Sequence, residues 1–569
     1  MSADQFLFEE TVDPQESQPV ATDKRLYYIQ DQNGGAYNGQ IQFDTSTLAN
    51  SGQWLAYSEA VLEIPFTITY QSSVNLVGGA ASYVKSFMAG LKNGYYQIVD
   101  SIQVDYNNSN VVQLQPFTNF FVQYKLMSSM GPSDLKKWGS TLNFAPDSSG
   151  SASYSDAKSN NGDGVSNNVI TNPTANNAVA YDASLYYDRV NNGFRQRVIN
   201  TGFPASSDAN ATIGYGNLGT FLGPANSPAA AGNCAQVGKN FFNDNGGVDA
   251  ARIWSWNIVA TIRLKDLADF FDKLPLVRGA FMRITINYNS CSSTATFTTN
   301  ADVLQRTWLS VSHIQRSGRT NPVMLTSAAQ YHPVNLTATT HTATVGSQVV
   351  SNPLLSAARL YVNAYTLNTV YTRDILTVKP KREVKYLDIY NYVVSGVAAG
   401  GQINAILTNG IVNPKYVVII PQLTGTAANT GLAIAMNPYQ SLFDSSPGTT
   451  CPLALLGQFN IQVAGANMYQ SSLRYDYEVF YNEVSSINAL NGGLSTGMTS
   501  GLISSYDWDN LYRYYVCDLS RRVPSEDGVA KSVVFQGVNQ TAKTMDYICF
   551  IAFERKVVIE MDTGMLLPS

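Results

Sequence analysis

The feature that most constrains this chain is a repeat of itself, displaced by 356 to 359 positions. Ile64-Pro65, inside a strand-like run, returns as Ile420-Pro421, and Ser101-Ile102-Gln103-Val104 returns as Asn460-Ile461-Gln462-Val463. Each copy of the second motif leads into a turn containing Asn, at Asn108 and Asn467, and Phe121 is matched further on by Phe480. A single pair of this kind would mean little. Several in nearly constant register imply two copies of one module in tandem. The matched runs alternate apolar and polar residues at period two, so the module is built of β-strands. Length agrees, because 569 residues exceed the roughly 250 to 300 at which a single core stops growing.

In the first copy, Leu62, Ile64, Phe66, Ile68 and Tyr70 alternate with polar residues over a full strand, and Pro65 places that strand at an edge or a bulge. Residues 98–104 give another strand, and Phe117 to Met127 fits helix or strand equally well. The stretch Arg252 to Tyr288 reads strand, short helix, strand. Ile258, Ala260 and Ile262 share one face, Leu264, Leu267, Ala268 and Phe271 recur at helical spacing, and Met282, Ile284, Ile286 and Tyr288 alternate again. Lys265, Asp266, Asp269, Asp272 and Lys273 read as the solvated face of that helix.

Between about residues 146 and 249, Asn, Ser, Gly and Ala dominate with little periodicity, which marks a long insertion suited to exposed loops. A Thr-rich crossing near residues 335 to 352 is the expected boundary. The domain reading is therefore an arm over 1–24, a first unit over 25–340 that contains the insertion, and a second unit over 341–569. Strand-like runs at Arg359 to Leu367, Val384 to Val394, Lys415 to Leu423 and Phe459 to Val463 are assigned to the second unit, whose end alternates again at Tyr547, Cys549, Ile551 and Phe553.

Charged residues are only 14% of the chain, and the surface is left to Asn, Ser, Thr, Gln and Gly while 34 Tyr and 24 Phe supply contact area. That balance suits long sheets and large subunit contacts. The net charge of −5 and the lack of any Lys/Arg run argue against direct nucleic-acid binding. The arm is acidic, with Asp4, Glu9, Glu10, Asp13 and Glu16 and one apolar cluster, Phe6-Leu7-Phe8, and is expected to be disordered alone or docked on a neighbour. Five scattered cysteines, Cys234, Cys291, Cys451, Cys517 and Cys549, read as reduced thiols, mostly buried. Neither a secretory leader nor an apolar run of membrane-spanning length is present, so a soluble protein is expected.

Motifs that could carry chemistry are few. Gly214-Tyr215-Gly216-Asn217-Leu218-Gly219 fits GxGxxG, yet no amphipathic helix follows to receive a phosphate, and a plain loop is the expectation. His313, His332 and His341 match no ligand spacing and read as surface histidines. Asp476 and Glu478 flank Tyr477. On a strand they would share one face roughly 6 to 7 Å apart, near glycosidase spacing, against the simpler reading of a solvated edge. No catalytic, cofactor-binding or metal site is assigned, no cofactor is expected, and the chain is read as no enzyme.

Several segments together resemble the double-jelly-roll major capsid proteins of polinton-like viruses, virophages and their adenovirus-like relatives. They are Gln30-Asp31-Gln32-Asn33-Gly34-Gly35 leading to Gln40-Ile41-Gln42-Phe43, Tyr57-Ser58-Glu59-Ala60, the run Leu264-Lys265-Asp266-Leu267 with Phe270 through Gly279, and Cys517-Asp518-Leu519-Ser520-Arg521. The resemblance implies an all-β chain of two consecutive eight-stranded jelly rolls, with short helices in the connections and a long loop insertion in the first. It further implies homotrimeric, pseudo-hexagonal capsomers that tile an icosahedral shell around double-stranded DNA. The partners would be further copies, penton and minor capsid proteins, and the location the virion shell, assembled in the infected cell. A trimeric receptor- or glycan-binding spike is the alternative.

Overall fold

The computed structural model describes residues 20–33, 39–72, 87–91, 94–146, 240–244, 252–288, 291–298, 308–316, 323–327, 334–340, 344–345, 348–349, 357–378, 380–424, 454–490, 500–510, 512–520, 528–542 and 544–567. Outside it lie the arm with Phe6-Leu7-Phe8, most of the 146–249 insertion, the Gly214–Gly219 motif, His332, His341, Cys234 and Cys451.

The first unit is laid down by β1 (Ala21–Gln30), β2 (Gln40–Asp44), β3 (Trp54–Ser72), β4 (Val99–Tyr106), β5 (Ser109–Val112), β6 (Arg252–Arg263), β7 (Met282–Tyr288) and β8 (Arg359–Leu367). These pair antiparallel in the order β1-β8-β3-β6 in one sheet and β2-β7-β4-β5 in the other. The second unit follows with β9 (Lys381–Val397), β10 (Gln402–Ile411), β11 (Pro414–Leu423), β12 (Leu456–Val463), β13 (Ala466–Asn467), β14 (Tyr515–Asp518), β15 (Lys531–Asn539) and β16 (Met545–Glu560). Its sheets run β9-β16-β11-β14 and β10-β15-β12-β13. Each strand of the second unit thus takes the place of the strand eight before it. Four strands facing four, wound in this order, make a jelly roll, and the chain contains two, the first with one sheet extended to eight strands by Asn240–Asp244, Cys291–Thr298, Trp308–Arg316 and Val334–Thr340.

The repeated sequence pairs fall at equivalent places. Ile64-Pro65 and Ile420-Pro421 lie in β3 and β11, and the Ser101 and Asn460 runs lie in β4 and β12. Both prolines are tolerated for the same reason. Pro65 faces Val259 of β6, but on its other side β8 stops at the pair with Glu63 and the strand Val334–Thr340 starts only at Ile68. Pro421 faces Tyr547 of β16 while β14 pairs no further than Ile419. Among the described residues each proline is in register with one neighbouring strand only, a place in a central strand where a residue lacking an N–H is tolerated.

The pairing moves the expected division of the chain. Ala21 to Lys24 belong to β1 rather than to the arm, and Arg359–Leu367 completes the first sheet between β1 and β3 instead of opening the second unit. The division falls in helix α5 (Thr369–Val378), well past residue 340. The Thr-rich segment around residue 337 pairs with β3 and with Cys291–Thr298, so the β7–β8 connection is a second excursion of the first roll.

One continuous apolar core runs through both rolls. At its centre is α1 (Thr118–Ser129), the segment that sequence left between helix and strand. Ten of its residues are buried, so it is covered all round, as an interior helix must be. Phe121 meets Phe550 of β16 with ring centroids 5.5 Å apart, and Tyr124 meets Tyr514 edge-on at 5.3 Å. The expected alternation in β16 therefore gives way to burial on both faces from Tyr547 to Ala552.

Candidate functional site

Without a catalytic constellation to build on, the candidate site is the seam where the rolls meet, together with the faces they leave open. After α1 come α2 (Pro132–Leu142), and beyond β6 the short helices α3 (Leu264–Leu267) and α4 (Asp269–Lys273), separated by the extended Ala268. These helices and β9 line an open cleft of about 480 Å³.

Its charged groups are mostly committed. Asp266, expected on a solvated face, is buried and accepts from Arg263 Nε at 2.6 Å and from the Tyr96 hydroxyl. Burial and the adjacent carboxylate push the Tyr96 hydroxyl well above the usual range. Asp269 accepts the backbone N–H of Leu387 in the second roll at 2.9 Å, Asp272 pairs with Lys273 at 3.1 Å, and Asp134 takes the N–H of Gly131. Asp388 on β9 pairs with Arg555 on β16, whose guanidinium also donates to the carbonyls of Asn110 and Val111. The 252–288 stretch thus supplies part of the first roll's contact with the second, through Asp269. It provides β6 and β7 but does not close the roll, which β8 does.

The remaining sequence candidates come out as follows. Asp476 and Glu478 do not share a strand: Asp476 accepts the N–H of Val479 and caps helix α6 (Tyr477–Leu490), and Glu478 lies in its first turn. The strand spacing behind a paired-carboxylate reading is therefore absent. Both line a second cleft, about 340 Å³, above the buried Trp508. Cys517 and Cys549 are buried free thiols, and burial raises the Cys549 thiol well above its ordinary range. His313 lies in the strand Trp308–Arg316. Among the described residues no group of three His, Cys, Asp or Glu is placed to hold a metal, and no helix is long and apolar enough to cross a membrane.

Exposed apolar side chains recur on equivalent strands. On β1 Leu26 and Tyr28 are 63% and 53% exposed, and on β9 Tyr392 and Val393 are 39% and 37% exposed. β1 and β9 are the edge strands of their sheets.

The chain is similar in structure to several viral proteins, three of which illustrate the likeness. A chain of the Sputnik virophage aligns over 96% of this chain and 89% of its own at 10% identity and TM-score 0.46. The mavirus major capsid protein aligns over 98% and 92% at 8% identity and TM-score 0.42, and the Faustovirus major capsid protein over 96% and 92% at 11% identity and TM-score 0.40. No protein-family model and no curated protein sequence matches. The fold assignment rests on the strand order of the chain itself.

Lys125, Trp138, Asp388 and Arg555 were not singled out by sequence reasoning. The available signal was the aromatic run Phe117 to Met127, whose lack of a polar face marks a helix buried between units.

Proposed function

We propose that this chain is a major capsid protein, three copies of which form a pseudo-hexagonal capsomer of an icosahedral shell around double-stranded DNA. The observation that carries this reading is the duplication: two rolls of identical strand order, fused through one core. Three such chains about a three-fold axis present six similar modules, and a unit with nearly six-fold outline tiles a surface. Leu26 and Tyr28 on β1 and Tyr392 and Val393 on β9 give both modules apolar contact surface on the same edge strand, as equivalent contacts around a ring require. The fold also occurs in lectins and cupins. A cupin-type metal site has little to draw on in a chain with three histidines confined to residues 313–341. The acidic arm and net charge of −5 leave genome contacts to other components of the particle.

In this reading the chain is no enzyme, its partners are further copies and minor shell proteins, and the 146–249 insertion projects outward from the first roll. Negative-stain imaging of purified protein is the test. Trimers with hexagonal outline, or closed shells, are expected. A protein that stays monomeric at high concentration would overturn the reading, and presence in tens rather than hundreds of copies per particle would overturn it in favour of a trimeric spike.

A further inference from the structure

We propose that the cleft at the seam is a receptor for the acidic arm, residues 4–16 of this chain's sequence. The inference does not depend on a shell, only on the cleft and the arm.

The carboxylates of the cleft are already engaged: Asp266 with Arg263 and Tyr96, Asp272 with Lys273, Asp388 with Arg555, Asp269 and Asp134 with backbone N–H groups. Lys273 is taken by Asp272, but two further lysines of the lining are not so paired. Lys125 is half-buried on α1 and donates only to the carbonyl of Lys265 at 3.3 Å, and among the described residues neither Lys125 nor Lys265 has a carboxylate within ion-pair distance. A half-buried ammonium held against a carbonyl, in a space open on one side, is set up for an anionic ligand. Lys136 and Lys137 on α2 are exposed and extend the basic character to the rim. Trp138, next to them, lines the cleft, is 43% exposed, and lies with its ring 5.0 Å from the Arg263 guanidinium. Two lysines in the cleft and two on its rim, none in an ion pair with a carboxylate of the described residues, together with an open indole form a complement to an acidic segment that carries an aromatic anchor.

The arm has that composition. Asp4, Glu9, Glu10, Asp13 and Glu16 are its charges up to residue 16, with no base among them, and Phe6-Leu7-Phe8 is its one apolar cluster. The residues that precede β1 can span about 60 Å when extended. Carboxylates then meet Lys125 and Lys265, and a Phe ring takes the exposed face of Trp138, a charged-peptide-in-groove arrangement.

The test uses the full-length chain with a photo-cross-linking phenylalanine analogue at position 6. Irradiation is expected to give cross-links to peptides containing Lys125, residues 132–142 or residues 264–273, with yield falling as salt rises. Lys125→Gln with Lys265→Gln should lower the yield by about tenfold. Lys381→Gln with Lys556→Gln, which do not line the cleft, should leave it unchanged. Unaltered urea midpoints in both double variants keep a folding defect from mimicking the result. Cross-links that map elsewhere, or that survive loss of both cleft lysines in folded protein, would overturn the proposal. So would a yield independent of charge when Glu9, Glu10, Asp13 and Glu16 are replaced by their amides.

Discussion

Arg555 of the second roll holds the buried carboxylate of Asp388 at 2.9 Å, and with the same guanidinium it donates to the carbonyls of Val111 at 3.0 Å and Asn110 at 2.8 Å in the first. The Tyr386 hydroxyl reaches the Val111 carbonyl as well, at 2.6 Å, and the N–H of Gln113 points at Asp388. One ion pair thus satisfies backbone groups at the end of β5 that the first roll leaves without a strand. Removing only the cation leaves Asp388 buried and uncompensated. Arg555→Met is expected to cost about 3–5 kcal/mol, and adding Asp388→Leu should recover much of that, since an apolar pair carries no charge to desolvate. Urea denaturation of the three variants and wild type measures it; a cost below about 1 kcal/mol for Arg555→Met would show that the pair is solvated.

The same carboxylate gives a pH dependence of unusual sign. Burial raises the pKa of Asp388 above 3.8, and the Arg555 hydrogen bond and charge, with the N–H groups of Ile389 and Gln113, offset this only in part. A carboxyl whose folded pKa is raised contributes stability that is present below its unfolded value and lost as pH rises through the folded value. Wild type should therefore lose stability relative to Asp388→Asn as pH rises above about 3.8. Glu59 slopes the other way. Burial opposes its charge, but hydrogen bonds from Asn363 and Tyr365 and the Lys24 ammonium outweigh it and lower its pKa below 4.5. Its contribution is present above that value and lost as pH falls through the lowered one. Being largely exposed, it should also fade with salt, whereas that of Asp388 should not. Urea midpoints of wild type, Asp388→Asn and Glu59→Gln across pH 3 to 7 separate the two, and parallel profiles would contradict both assignments.

The duplication was legible in the sequence because strands β3 and β4 keep their alternation and spacing in β11 and β12, and period two reports a half-buried strand directly. The boundary was not, because Arg359–Leu367 has the same pattern whichever sheet it joins. Only its pairing with Glu63 and Tyr28 assigns it to the first roll. The seam was misread for a related reason. Asp266 and Asp269 look like solvated helix positions until Tyr96 and the N–H of Leu387 arrive from elements distant in sequence, beside the local Arg263. Long-range hydrogen bonds leave no periodic trace.

Two tight turns lock the end of the second roll onto a corner of the first. Gly279 and Gly564 both have positive φ, +70° and +68°. A Cβ on Gly564 would come 2.4 Å from the carbonyl oxygen of Arg278, and one on Gly279 would come 2.8 Å from that of Thr563. The Asn107 side chain ties the same corner together, donating to the Gly564 carbonyl at 3.0 Å and accepting from the N–H of Phe281. Gly564→Ala is expected to cost on the order of 1–3 kcal/mol from the backbone alone, and more from the collision. Gly465→Ala is the control, with φ of +78° and open space around it, and should pay the backbone part only. Equal melting shifts for the two variants would mean that the corner yields without resistance.

Asp476 distinguishes a structural carboxylate from a catalytic one. Its side chain accepts the N–H of Val479 at 3.1 Å at the start of α6, and a residue in that position stabilises the helix by satisfying a donor that has no intrahelical partner. α6 packs Phe480 and Val484 into the core and carries Glu483, which accepts the N–H of Asp518 at 2.7 Å, so the cap is coupled to β14. Asp476→Ala should cost about 1 kcal/mol and Asp476→Ser or Asp476→Asn much less, because either can still accept. Glu478→Gln should leave the melting temperature within about 1 °C, as expected of an exposed first-turn residue without such a bond. Neither protein is expected to release reducing sugar from a broad glycan panel. Turnover abolished by Glu478→Gln with stability intact would restore the paired-carboxylate reading and place the active centre in the cleft above Trp508.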